Sequence, residues 1–125
     1  MKEGLSHTSH LVVAQSDSAQ SQGSGELEVL ATPRLIALME NAAMLAVAPA
    51  LAPGETTVGG QISVSHLKPS AVGSEVSATA VLTQVEGRKL TFSLSAFEGD
   101  KRIGEGTHIR FIVNRDKFLS AVGLP

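Results

Sequence analysis

Cysteine is absent from the chain, and with it go disulfides, thiolate nucleophiles and zinc-thiolate centres. A reducing compartment, the cytoplasm, is the expected setting. Tryptophan and tyrosine are missing too, only 4 phenylalanines are present, and 10 Lys and Arg are scattered among 12 Asp and Glu for a net charge of -2. Without a basic stripe for phosphates or aromatic platforms for bases, the chain is not expected to bind nucleic acid. Long apolar runs are lacking. Leu11 to Ala14 is too short for the core of a secretory signal, and Glu40 and Asn41 split the best candidate for a spanning helix, so no membrane association is expected. No Gly-x-Ser-x-Gly elbow or phosphate loop occurs, which disfavours the usual serine hydrolases and nucleotide enzymes.

What is there is one domain over residues 1–125, 42% hydrophobic and 18% charged, which is the balance of an ordinary soluble globular protein. Leu11 to Ala14 reads as a first strand, and Gln15 to Gly25, rich in Ser, Gln and Gly, as a mobile loop. Thr32 and Pro33 make a helix start, with Thr as N-cap and Pro at the first helical position; the helix then runs to about Ala48. From Thr57 the pattern alternates. Ile62, Val64 and His66 share one strand face; Val76, Ala78, Ala80 and Leu82 follow, then Leu90, Phe92, Leu94 and Ala96, then a return over Lys101 to Asn114. Short turns at Gly87 and Gly99 imply antiparallel neighbours. The expectation is an α+β domain in which the sheet wraps one long helix, and a helix apolar almost all round calls for a second subunit to complete its burial.

Glu40 is the only formal charge between Arg34 and Glu55, set in the apolar run from Leu35 to Val47. A carboxylate taken out of water there costs several kcal/mol unless paired or protonated, so chemistry is the natural reason for it. Thr32 stands eight residues before it and His66 twenty-six after it. Hydroxyl, carboxylate and imidazole together form a candidate catalytic set. Each has a plainer reading: Thr32 as a cap, His66 as a core histidine, which would also supply the donor that Glu40 lacks on its own helix. Thr32 and Glu40 lie about 12 Å apart along a regular helix, so they meet only through His66 or across a subunit interface. His7 and His10 are three apart with no third ligand nearby and are not read as a metal site. Gly104, Gly106 and the residues around them mark close backbone approach within a strand rather than a dinucleotide fingerprint.

Several separate blocks resemble one family. They are Ala31-Thr32, Leu38-Met39-Glu40, Ala48-Pro49-x-Leu51-x-Pro53-Gly54-Glu55, Val64-Ser65-His66, Val85-Glu86-Gly87-Arg88, Gly104-x-Gly106-Thr107-His108-x-Arg110 and Lys117-Phe118. The match is to the fluoroacetyl-coenzyme A thioesterase-like branch of the hot-dog superfamily, over roughly Ala31 to Phe118. The resemblance implies a hot-dog fold, a homodimer with sites near its interface, and hydrolysis of acyl-CoA thioesters without a cofactor, coenzyme A being part of the substrate. It also implies Thr32, Glu40 and His66 as catalytic residues, and Gly59, with Gly60 beside it, as the position whose N–H contacts the thioester carbonyl. The family's namesake carries an aromatic-bearing lid before the threonine, whereas Gln15 to Leu30 holds no aromatic residue. A different, broader short acyl group is therefore expected. The alternatives are a hot-dog hydratase acting on enoyl-CoA and a binding module that captures acyl-CoA without turnover.

Overall fold

A computed structural model describes residues 1–125. In chain order the elements are β1 (Ser6–Val12), a 3-10 turn (Gln15–Asp17), α1 (Ala19–Gln22), α2 (Thr32–Val47), a second 3-10 turn (Ala48–Ala50), β2 (Glu55–His66), β3 (Glu75–Glu86), β4 (Lys89–Glu98), β5 (Lys101–Asn114) and α3 (Arg115–Ala121). The helix α2 forms because Leu35, Leu38, Met39, Ala42, Ala43, Ala46 and Val47 recur three and four apart and all bury on one face. It gives way to the 3-10 turn where Pro49 removes a backbone donor.

Against that face lie the inward residues of the hairpins, Val76, Ala78, Ala80 and Leu82 from β3 and Leu90, Phe92, Leu94 and Ala96 from β4, in the alternation expected. Gly87 (φ 62) and Gly99 (φ 58) supply the positive φ that the two tight hairpin turns need. The result is an antiparallel sheet curled around one long helix, the hot-dog arrangement. No helix is long and apolar enough to cross a membrane.

Three expectations are corrected. The first strand begins at Ser6 rather than Leu11, because all of Ser6–Val12 pairs with β3 despite its polar composition. Gln15 to Gly25, expected as a loop, makes two short helical turns, with the Asp17–Arg34 ion pair at 2.9 Å and Ser18 accepting from Ser21 N–H. The strands do not lie side by side in chain order. The sheet order is β1-β3-β4-β5-β2, so β2 pairs with β5 and stands at an edge, and the chain crosses the sheet between His66 and Glu75. The helix has one side left uncovered within the chain, where Ala37, Asn41, Met44 and Leu45 are exposed and Glu40 is only half-buried.

Within β2 the register with β5 shifts between Gly59 and Gln61, leaving Gly60 as the extra residue of a bulge. The β5 glycines mark close approach, as expected. A Cβ on Gly106 would fall 2.1 Å from the Ser63 carbonyl oxygen, and one on Gly104 would press on Leu35 and Met39 of α2.

Candidate active site

Thr32 is the first helical residue of α2, and Ala31 occupies the cap position, so the threonine hydroxyl is not used in capping. Its Oγ1 instead lies 2.8 Å from His66 Nδ1 in a hydrogen bond. His66 reaches it because the inward alternation Ile62, Val64, His66 ends at the strand terminus that faces the start of α2. His66 Nε2 is buried without a hydrogen-bond partner, although the Lys68 backbone favours the protonated ring. Burial is the larger effect and lowers the His66 pKa from its ordinary value, which leaves the ring neutral at pH 7. A neutral ring offers one acceptor and one donor, so the pair can pass a proton between the hydroxyl and a group placed at Nε2. A cavity of about 290 Å³ opens on Thr32 and His66, bounded by Ala19, Val29, Leu30 and Pro69 among others.

Glu40 lies two helical turns further on, beside a second cavity of about 240 Å³ lined by Gly59, Gly60, Gln61, Ile62 and His108. Its carboxylate lies against the Gly59 backbone: a Cβ there would fall 3.1 Å from Glu40 Oε2, 3.4 Å from His108 Cε1 and 3.6 Å from Arg110 Nη1. Only glycine keeps that space open. Gly60 is confined from the other direction, its α-carbon facing the ring of Phe111.

Beneath Gly59, two basic side chains of β5 are almost wholly buried. Arg110 donates from Nε to Thr57 Oγ1 and from Nη2 to the Thr57 carbonyl, both at 2.9 Å, and its Nη1 lies 3.2 Å from His108 Nε2. The other imidazole nitrogen, His108 Nδ1, is 2.8 Å from the Gln61 carbonyl. Burial lowers the His108 pKa; the Gln61 carbonyl and Glu40 oppose this, while Arg110 reinforces it. Burial also lowers the Arg110 pKa from its ordinary value, and the Glu40 carboxylate counters that.

The chain therefore brings Thr32 to His66 and Glu40 to Gly59, but holds the two pairs apart. The basic company of Glu40 is not His66 but the neutral His108 ring and the Arg110 guanidinium, which sequence reasoning did not single out as part of the site. A signal was present: in a strand of period two, Gly106, His108, Arg110 and Ile112 fall on the inward face, where buried basic groups need partners. His7 and His10 lie on β1, and their odd spacing turns them to opposite faces of the strand.

A family model described as fluoroacetyl-CoA-specific thioesterase matches residues 13–116. The fluoroacetyl-CoA thioesterase of Streptantibioticus cattleyicolor is 43% identical over 95 residues, which span 76% of this chain and 68% of that protein. A solved structure of the fluoroacetyl-CoA thioesterase FlK superposes with a TM-score of 0.91 at 37% identity, covering 98% of this chain and 96% of that one. For the fold alone, a thioesterase-superfamily protein of Thermus thermophilus superposes with a TM-score of 0.90 at 24% identity over 98% of this chain and 90% of its own.

Proposed function

The chain belongs to the fluoroacetyl-CoA-specific thioesterase family, and on that premise we propose that it hydrolyses small acyl-CoA thioesters to the free acid and coenzyme A. The observation that carries the reading is the Glu40 carboxylate set against the backbone of Gly59, on a cavity of about 240 Å³. In the reaction an oxygen nucleophile adds to the thioester carbonyl carbon, the carbon–sulfur bond breaks, and a proton reaches the departing thiolate. Glu40 serves as the base for water, or as that nucleophile to give an acyl anhydride that water then hydrolyses to the acid and free Glu40; His66 delivers the proton, and Thr32 with the Gly59 N–H stabilises the oxyanion. Gly60 gives the bulge its shape. The reaction needs water and protein groups and no cofactor. A chain without cysteine or a membrane-crossing helix fits a cytoplasmic setting.

A homodimer supplies the missing proximity. Three features support it: β2 is an unpaired sheet edge, α2 leaves Met44 and Leu45 exposed beside it, and the two halves of the catalytic set lie apart in one chain. Antiparallel pairing of β2 with its copy about a twofold near Ile62 and Ser63 sets His66 opposite Gly59 of the partner subunit. Each site then takes Thr32 and His66 from one chain and Glu40 and Gly59 from the other.

The segment over Thr32 presents Ala19, Ser24, Val29 and Leu30 and no aromatic ring, which favours a short acyl group without a requirement for fluorine. The test is free-thiol release from short, branched and aryl acyl-CoA esters by the parent and by Glu40→Ala. Release that vanishes in the variant supports the proposal. A hydroxyacyl thioester formed from an enoyl-CoA without free thiol would make the protein a hydratase, and thermal stabilisation by acyl-CoA without turnover would make it a binding module.

A further inference from the structure

We propose that His108 is a positioning residue whose imidazole, wedged between the Gln61 carbonyl of the β2 bulge and the Arg110 guanidinium, fixes both the strand that carries Gly59 and the cation that faces Glu40. The inference rests on the reading above that Glu40 and Gly59 belong to the reacting centre.

The hydrogen bonds fix the state of the ring. A carbonyl can only accept, so the 2.8 Å contact to Gln61 puts the proton on His108 Nδ1. A guanidinium can only donate, so Arg110 Nη1 at 3.2 Å faces a bare lone pair on Nε2. A protonated ring would turn an N–H toward that cation, and the Glu40 carboxylate beyond Arg110 is the only anion facing the pair. His108 is therefore a neutral donor–acceptor link of one defined tautomer, packed beside the Phe92 ring at 6.1 Å and 1% exposed.

What it links is specific. Arg110 is clamped to Thr57 by two 2.9 Å bonds, and His108 holds Gln61, so the two side chains grip β2 on either side of Gly59 and Gly60. That is where the ladder with β5 is interrupted, and a bulged strand has fewer backbone bonds to fix its position. The grip replaces them. It also makes the floor below Gly59, since both His108 and Arg110 lie within 4 Å of where a Cβ on that residue would sit. A carbonyl-binding N–H or a carboxylate about 1 Å out of place can cost about 100-fold in rate.

Three substitutions separate the two links. His108→Phe removes both, His108→Gln retains an acceptor toward Arg110, and His108→Asn retains a donor toward Gln61. For a short acyl-CoA that the parent hydrolyses, His108→Phe is expected to lower kcat about 100-fold with KM changed less than about threefold, and Gln and Asn each to recover part of the loss. Should the Phe variant fail to fold, the Gln and Asn variants carry the same comparison. A folded variant whose kcat stays within about threefold of the parent, or in which all three substitutions lose activity only in proportion to lost folded protein, overturns the role. Thiol release that survives in Glu40→Ala would overturn the catalytic reading and this role together, whereas loss there with kcat retained in His108→Phe would overturn this role alone.

Discussion

A lone carboxylate in an apolar run demands a reason, and Glu40 has one in the Gly59 backbone and the buried guanidinium beside it. The side chain is half-buried, against a glycine and near a buried cation, so its desolvation is milder than full burial would impose. We predict that Glu40→Ala folds with a melting temperature within a few degrees of the parent, because relief of desolvation at residue 40 offsets the field lost at Arg110. Thiol release should fall by about 10² to 10⁴. Calorimetry beside a thiol assay checks both, and a variant that unfolds would make Glu40 structural. His66 and His108 both have pKa values lowered by burial, which sets a pH dependence of stability. Between the lowered folded value and the unfolded value near 6.5 the unfolded chain binds more protons, so stability is full above about pH 6.5 and is lost as pH falls through the folded values. Thermal melts from about pH 7.5 to 5 should show that loss, and His108→Gln should reduce it. At this scale Thr32, Glu40 and His66 were legible as unusual residues in apolar or helix-initial settings. The link from Thr32 to His66 was legible too, but the surroundings of Glu40 were not, because groups that meet across β2 and β5 are forty or more positions apart in the sequence.

Among the elements, the long helix and the three hairpin strands were legible because both periodicities are strong and glycine turns punctuate them. The strand order was not. Nothing in the run from Leu67 to Ser74 says that it carries the chain to the far side of the sheet instead of turning back beside β2. The polar β1 and the seven-residue α3, capped by Asn114 accepting from Lys117 N–H, likewise owe their structure to tertiary pairing and local capping rather than to an apolar pattern. The glycines of β5 were readable, and they support a prediction. Because a Cβ on Gly106 would collide with the backbone of Ser63 rather than with a yielding side chain, Gly106→Ala should cost about 1 to 3 kcal/mol, measured by denaturant unfolding. An unchanged midpoint would mean that β2 and β5 can separate freely. Such freedom would also undercut the idea that the Gly59 bulge is held firmly in place.

At the scale of the whole molecule, one chain looks unfinished. Its edge strand β2 runs twelve residues without an outer partner, α2 presents exposed apolar groups beside it, and the carboxylate–glycine and hydroxyl–imidazole pairs sit at separate points of the same strand, Gly59 in its middle and His66 at its end. Pairing two copies of β2 answers all three at once. The protein should therefore run as a dimer or larger in sedimentation, and charges placed outward along the β2 edge should shift it toward inactive monomers. The sharpest test mixes two inactive proteins. Thr32→Ala and Glu40→Ala homodimers are unfolded together, refolded as a mixture and assayed for thiol release. If each site draws Thr32 and His66 from one chain and Glu40 from the other, half of the dimers are mixed and each mixed dimer holds one intact site, so about a quarter of the parent activity should return. Activity no greater than that of the two variants alone, in a mixture shown to contain mixed dimers, would contradict the shared site.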